Sequence, residues 1–191
     1  DAQLGRIMDE LKRLELDKNT IIALWGDHGW HLGDHGTWTK HTNFEQNTRI
    51  PIIFVAPGIA NPGISSGQLT ETVDIYPTLA ELAGLEKPNV PQPFDGISLV
   101  PVLKNKDERV RDHAYHAYPK QGYLGEAIRT QQFRMVRWTH TQDKSKEVLY
   151  ELYDYYNDPL ETQNFAGTNP EKVAELEAIL NTHPKAKTHP D

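Results

Sequence analysis

The chain has 191 residues, 37% of them hydrophobic and 25% charged, with 20 basic side chains against 27 acidic and a net charge of −7. That is long enough for one domain, or for a large and a small one, while the acidic balance argues against a partner such as nucleic acid. No run approaches 18 apolar residues, which argues against a membrane-spanning helix, and a chain without cysteine carries no disulfide framework, thiolate zinc site or cysteine nucleophile.

The first pattern is amphipathic: Leu4, Ile7, Met8, Leu11 and Leu14 recur at spacings of three and four, one face of a helix. No capping residue stands cleanly ahead of it, so the expectation is a longer protein cut before this helix. The apolar run Thr20 to Trp25 reads as a fully buried strand, and a helix leading into such a strand predicts an α/β layer with a mostly parallel sheet. Arg49 to Ala56 reads as a second buried strand, closed by Pro57-Gly58. Asp74 to Gly84 reads as a helix with Asp74 at the N-cap and Gly84 as its stop. Residues 86–96 carry three prolines and read as a connector.

After about residue 110 the pattern becomes polar-aromatic, with antiparallel strands expected over 127–138 and 148–153. Asn169-Pro170 opens a last helix with Val173, Leu176, Ile179 and Leu180 on its apolar side, and the tail from His183 reads as frayed. The fold expected is α/β over residues 1–110 and a small antiparallel α+β subdomain over 111–191.

Chemistry concentrates between the first two strands. Gly26 to Gly36 holds four glycines in eleven residues, and His28, His31, His35 and His41 fall within fourteen. A helical reading would align His28, His31 and His35 for zinc, but the glycines disfavour that helix and no H-E-x-x-H pair is present. Asp27 and His28 follow the end of a predicted strand, where open α/β sheets place ligands, and suit a metal ligand or a general base. Lys40 and His41 lie on the same loop, so cationic groups and a carboxylate can converge on one anion. Glu45 and Arg49 read as a structural pair. His113 and His116 read as strand packing, residues 150–156 as tyrosine-rich core, and Asp154, Asp158 and Glu161 as a solvated turn.

The string Asp27-His-Gly-Trp-His-Leu-Gly-Asp-His-Gly-Thr-Trp-Thr-Lys40-His-Thr-Asn-Phe resembles the second metal-binding segment of the type I, formylglycine-dependent sulfatases of the alkaline phosphatase superfamily, in their iduronate-2-sulfatase-like branch. The resemblance continues in order through Arg49-Ile-Pro-Ile-Ile-Phe, Val73 to Gly84, Phe94 to Leu99, Arg129 to Trp138 and Leu152 to Asn164, which makes this chain similar to the family's C-terminal portion. It implies the C-terminal part of an alkaline-phosphatase-like mixed sheet flanked by helices. It implies that Asp27 and His28 ligate a divalent cation, usually calcium, that Lys40 grips a sulfate oxygen with His41 assisting, and that Trp30, His31 and His35 line the substrate entrance. It further implies a sulfated carbohydrate substrate, such as a 2-O-sulfated uronic acid, and a secreted, periplasmic or lysosomal setting.

The family's nucleophile comes from a C/S-x-P-x-R motif converted to formylglycine, and no such motif occurs in these residues. The resemblance therefore implies that an N-terminal part supplies it and that this chain alone is inactive. Two alternatives stay open: a phosphatase or phosphodiesterase of the same superfamily with paired transition metals, and a non-catalytic carbohydrate-binding or subunit chain.

Overall fold

The computed structural model describes residues 1–59, 62–86 and 91–187. Contacts divide the chain into two compact units, one made of residues 1–25 and 51–110, the other of residues 26–50 and 111–191. The glycine- and histidine-rich loop therefore groups with the C-terminal residues.

In the first unit, helix α1 (Ala2–Arg13) forms where the periodicity predicts it, with Lys12 and Arg13 in the last turn complementing the helix dipole. Strands β1 (Ile22–Trp25) and β2 (Ile52–Val55) pair antiparallel, Ile22 opposite Val55 and Trp25 opposite Ile52. This corrects the parallel pairing expected. A parallel pair needs a crossover that packs back on the sheet, whereas the intervening segment 26–50 packs with residues 111–191 and returns the chain in the opposite sense. Nor are the strands fully buried: Leu24, Trp25, Ile53 and Val55 are all exposed.

Helix α3 (Ile75–Leu82) follows a 3₁₀ turn at Thr72–Asp74 and ends at Gly84, whose φ of 68° suits a left-handed stop. Asp74 stands at the N-cap as expected, but its carboxylate does not cap the helix. It is fully buried and accepts from the amides of Glu71 and Ile97, both at 2.8 Å. The Thr78 hydroxyl donates to the Asp74 carbonyl and accepts from the Leu99 amide. These bonds seat Leu99 and helix α4 (Val100–Lys104) beside Ile75, giving a small core of Ile75, Leu99, Val100 and Val102. Part of the expected connector, residues 87–90, lies outside the described residues.

The second unit is a four-stranded antiparallel meander, β3 (Ala114–Lys120), β4 (Tyr123–Arg129), β5 (Phe133–His140) and β6 (Leu149–Asp154), in spatial order β3-β4-β5-β6. The single strand expected over 127–138 is two, because Thr130 closes a tight turn with its amide on the Phe133 carbonyl at 2.8 Å. Strand alternation gives the sheet two faces. One carries Ile128, Met135 and Leu152, all fully buried against Val173, Leu176 and Leu180 of helix α5 (Pro170–Leu180). Helix α5 starts as the sequence predicts, with the Asn169 side chain accepting from the Lys172 amide. The residues after it do not fray at once. His183 stacks on Tyr115, with ring centroids 4.8 Å apart, and the Ala186 amide donates to Glu126. No helix among the described residues is long and apolar enough to cross a membrane.

Candidate active site

The other face of the sheet receives the loop 26–50. Its anchor is a short helix, α2 (Glu45–Thr48). The Asn47 carbonyl accepts from the Gly29 amide at 2.8 Å, while the Asn47 side chain donates to the Lys40 carbonyl and, at 3.0 Å, to the Thr42 hydroxyl. One residue thus ties both limbs of the loop. The approach is close enough that a Cβ on Gly29 would lie 1.8 Å from the Gln46 carbonyl oxygen, so only glycine fits there.

Between those limbs, Asp27, His28 and Lys40 come together. The His28 Nδ1–H donates to the Gly29 carbonyl at 2.8 Å, which leaves Nε2 as an acceptor. The Lys40 ammonium donates to that Nε2 at 2.8 Å, and an Asp27 carboxylate oxygen lies 3.4 Å from it. The Asp27 side chain is 84% exposed and the His28 side chain 32%. Ligand can therefore reach both. His41 is exposed, and its Nδ1 meets the Tyr118 hydroxyl from β3.

The three residues expected at a substrate entrance separate. Trp30 is half exposed. His35 stacks on Phe44 with centroids 3.8 Å apart and planes 3° from parallel. His31 has no exposed surface, and its Nε2 shares a hydrogen bond with the Thr42 hydroxyl at 2.7 Å. Burial, followed by the nearby His35 charge, pushes its pKa down. His31 therefore serves as a neutral internal pin of the loop, not a surface that a sugar can touch.

Other sequence expectations are revised beside this site. Glu45 pairs not with Arg49 but with Arg129, at 3.1 Å, and with the Tyr155 hydroxyl at 3.1 Å. Burial opposes ionisation of Glu45, but the Arg129 hydrogen bond and charge prevail and hold its pKa below the usual value. Glu161 is not on a solvated turn: it is 2% exposed and ion-paired with the fully buried Arg134. Tyr153 is core, as expected, whereas Tyr156 is 72% exposed. His113 shares a hydrogen bond with His183, Nε2 to Nε2 at 2.7 Å, and His116 sits under the loop with a buried Nε2. Thr42, Asn47 and Tyr118 carry no local sequence signal of their roles. The four glycines of residues 26–36 signal a loop that is not helical, without marking Gly29 as the one that meets α2.

With this geometry, residues 33–186 match the family described as N-sulphoglucosamine sulphohydrolase, C-terminal. This chain belongs to the sulfatase family. It is 34% identical over 87% of its length to an N-acetylglucosamine-6-O-sulfatase of Bacteroides thetaiotaomicron, covering 30% of that protein. It is 31% identical over 86% of its length to human iduronate 2-sulfatase, covering 41% of that protein. Among solved structures, one in complex with its substrate D-glucosamine-2-N,6-O-disulfate superposes with a TM-score of 0.79 at 33% identity, over 93% of this chain and 36% of that one. This sulfatase chain thus spans roughly a third of the length of the curated relatives it matches. The alkaline-phosphatase-like fold expected from the sequence is the one these sulfatases share, here as a mixture of helices and antiparallel sheets.

The residues fit one edge of a divalent-cation site. Fixing a histidine tautomer by tying Nδ1–H to a carbonyl is how metal-binding imidazoles are commonly set, and an exposed carboxylate stands beside Nε2, the nitrogen to which Lys40 donates in this structure. Two donors fall short of the six to eight oxygens calcium takes. Among the described residues, no three histidines or carboxylates gather as a metal site.

Proposed function

We propose that this chain supplies the sulfate-gripping side of a sulfuric ester hydrolase that acts on sulfated carbohydrate, with a 2-O-sulfated uronic acid as substrate. The convergence of Asp27, His28 and Lys40 carries the reading. An ammonium held by an imidazole is a preorganised cation, and it offsets negative charge that builds on sulfate oxygens as the ester bond breaks. His41, hydrogen-bonded to Tyr118, stands next in the chain to assist, and the half-exposed Trp30 offers an aromatic face to the sugar ring. Because the chain is acidic overall, attraction for an anionic substrate must be local.

Asp27 and His28 would hold a divalent cation, calcium in this reading, which would take the His28 Nε2 lone pair from Lys40, free the ammonium for the sulfate and add positive charge beside it. The formylglycine nucleophile belongs to an N-terminal part of the same enzyme, and the 191 residues alone do not hydrolyse the ester. A secreted, periplasmic or lysosomal setting goes with such a substrate. The test is Lys40→Ala in the complete gene product, assayed on a 2-O-sulfated uronate disaccharide and on 6-O-sulfated glucosamine. Loss of one preorganised cation predicts a fall of roughly 100- to 1,000-fold in kcat. Unchanged turnover, or two transition-metal ions per enzyme with faster phosphodiester hydrolysis, overturns the reading.

A further inference from the structure

Helix α2 holds both limbs of the loop, so what holds α2 decides where Lys40 and His28 stand. Two residues far away in sequence do this. Glu161 turns its carboxylate under α2 and accepts from the Glu45 amide at 2.9 Å. The same carboxylate pairs with Arg134 of β5 and accepts from the Tyr155 hydroxyl. The Arg134 guanidinium lies 5.3 Å from the ring centres of both Phe44 and Tyr153, so it packs against the residue that immediately precedes α2. Both side chains of the ion pair are essentially inaccessible, at 1% and 0% exposure.

Two observations suggest that this pair does more than add stability. A buried ion pair contributes little net stability, and well-packed apolar residues often replace it without loss. Glu161 also adopts a φ of 58°, in the left-handed region that a non-glycine residue enters at a cost. The fold tolerates both costs at one residue whose carboxylate reaches the base of the candidate site.

We propose that Arg134 and Glu161 are positioning residues: they set the placement of α2, and through Asn47 the placement of Gly29 and Lys40, so that the Lys40–His28 contact forms. The catalytic part of this inference rests on the function proposed above; the placement part does not. Neither residue touches the reacting atoms. Glu45, held separately by Arg129 and Tyr155, keeps α2 attached to the sheet when the pair is removed, so the expected consequence is misplacement and not unfolding.

The experiment compares Glu161→Gln and the apolar double replacement Arg134→Met with Glu161→Leu in the complete gene product, by amide hydrogen exchange and by kinetics. The amides of Gly29 and His31, which bond the Asn47 and Thr39 carbonyls, should exchange at least tenfold faster in both variants. Amides pairing β4 with β5 should stay within about twofold of the parent. On the sulfate ester, kcat should drop at least tenfold with a smaller change in KM. Equal acceleration in the loop and the sheet, or unchanged loop protection, overturns the inference. Faster loop exchange in the variants, with a parent enzyme that hydrolyses no sulfate ester, leaves the placement role standing and removes the proposed function.

Discussion

Replacing Gly29 with alanine tests the geometry of the site most directly. The added methyl would sit 1.8 Å from the Gln46 carbonyl oxygen and 2.8 Å from its carbon. Both are backbone atoms, which no rotamer change can move aside. Ordinary contacts begin near 3.4 Å, so the loop must lift off α2 by more than an ångström and give up the Gly29–Asn47 hydrogen bond. Overpacking of this kind costs about 1–3 kcal/mol, and the lost bond about 1 kcal/mol more. The larger effect should be on rate. A shift of about 1 Å in positioned groups costs roughly 100-fold, because His28, whose Nδ1 is tied to the Gly29 carbonyl, moves with the loop. The assay is kcat/KM on a sulfate ester beside thermal unfolding of the same variant. Parent-like turnover by Gly29→Ala would refute the reasoning, since the loop would then not depend on its approach to α2.

Other expectations concern stability. Burial, followed by the Arg134 charge, holds the His116 pKa down to about 4, whereas an imidazole in the unfolded chain takes its proton near pH 6.5. The unfolded state therefore binds the extra proton between these values. Stability should fall as pH drops from about 6.5 to about 4, by up to about 3 kcal/mol. Urea titrations at pH 7 and 4.5 should show the loss, and His116→Gln should flatten it. Met135→Ala removes a fully buried core side chain facing α5 and should cost about 2–5 kcal/mol in denaturant unfolding. Asn169→Ala removes the side-chain acceptor at the start of α5 and should cost about 1 kcal/mol. Gly5→Ala, in the interior of exposed α1 with nothing near the new methyl, should stabilise by about 0.5–1 kcal/mol.

What the sequence made legible was local. The spacing of Leu4, Ile7, Leu11 and Leu14 places α1, Asn169-Pro170 places α5, and Gly84 ends α3, because each signal acts within one or two turns of the chain. The Asp27-His28 and Lys40-His41 strings were legible for a different reason, as a resemblance spread in order along the chain. What escaped depends on pairing across distance. Glu161 sits among Asp158, Thr162 and Gln163 in a stretch that reads as solvated, and only the partner Arg134, in another strand, makes its burial tolerable. Glu45 lies four residues from Arg49, a spacing that invites a helical pair, but α2 is a single turn and Arg129 reaches the carboxylate from β4. His31 carries the same side chain as its partly exposed neighbour His28. Its burial comes from Thr42 and Phe44 closing over it, which no local pattern encodes.

The grouping of segment 26–50 with residues 111–191 also sets the order of events during synthesis. The loop leaves the ribosome long before its partners: 77 residues separate His41 from Tyr118, 84 separate Glu45 from Arg129, and 116 separate Glu45 from Glu161. At a translation rate of roughly 5–20 residues per second, Glu45 waits on the order of ten seconds for Glu161 to be made. Through that interval Phe44 has neither Tyr153 nor Arg134 to pack on, and the nascent chain offers it to holding chaperones or to neighbouring chains. Slowing elongation between residues 50 and 160 should therefore lower the yield of folded protein more than slowing it elsewhere.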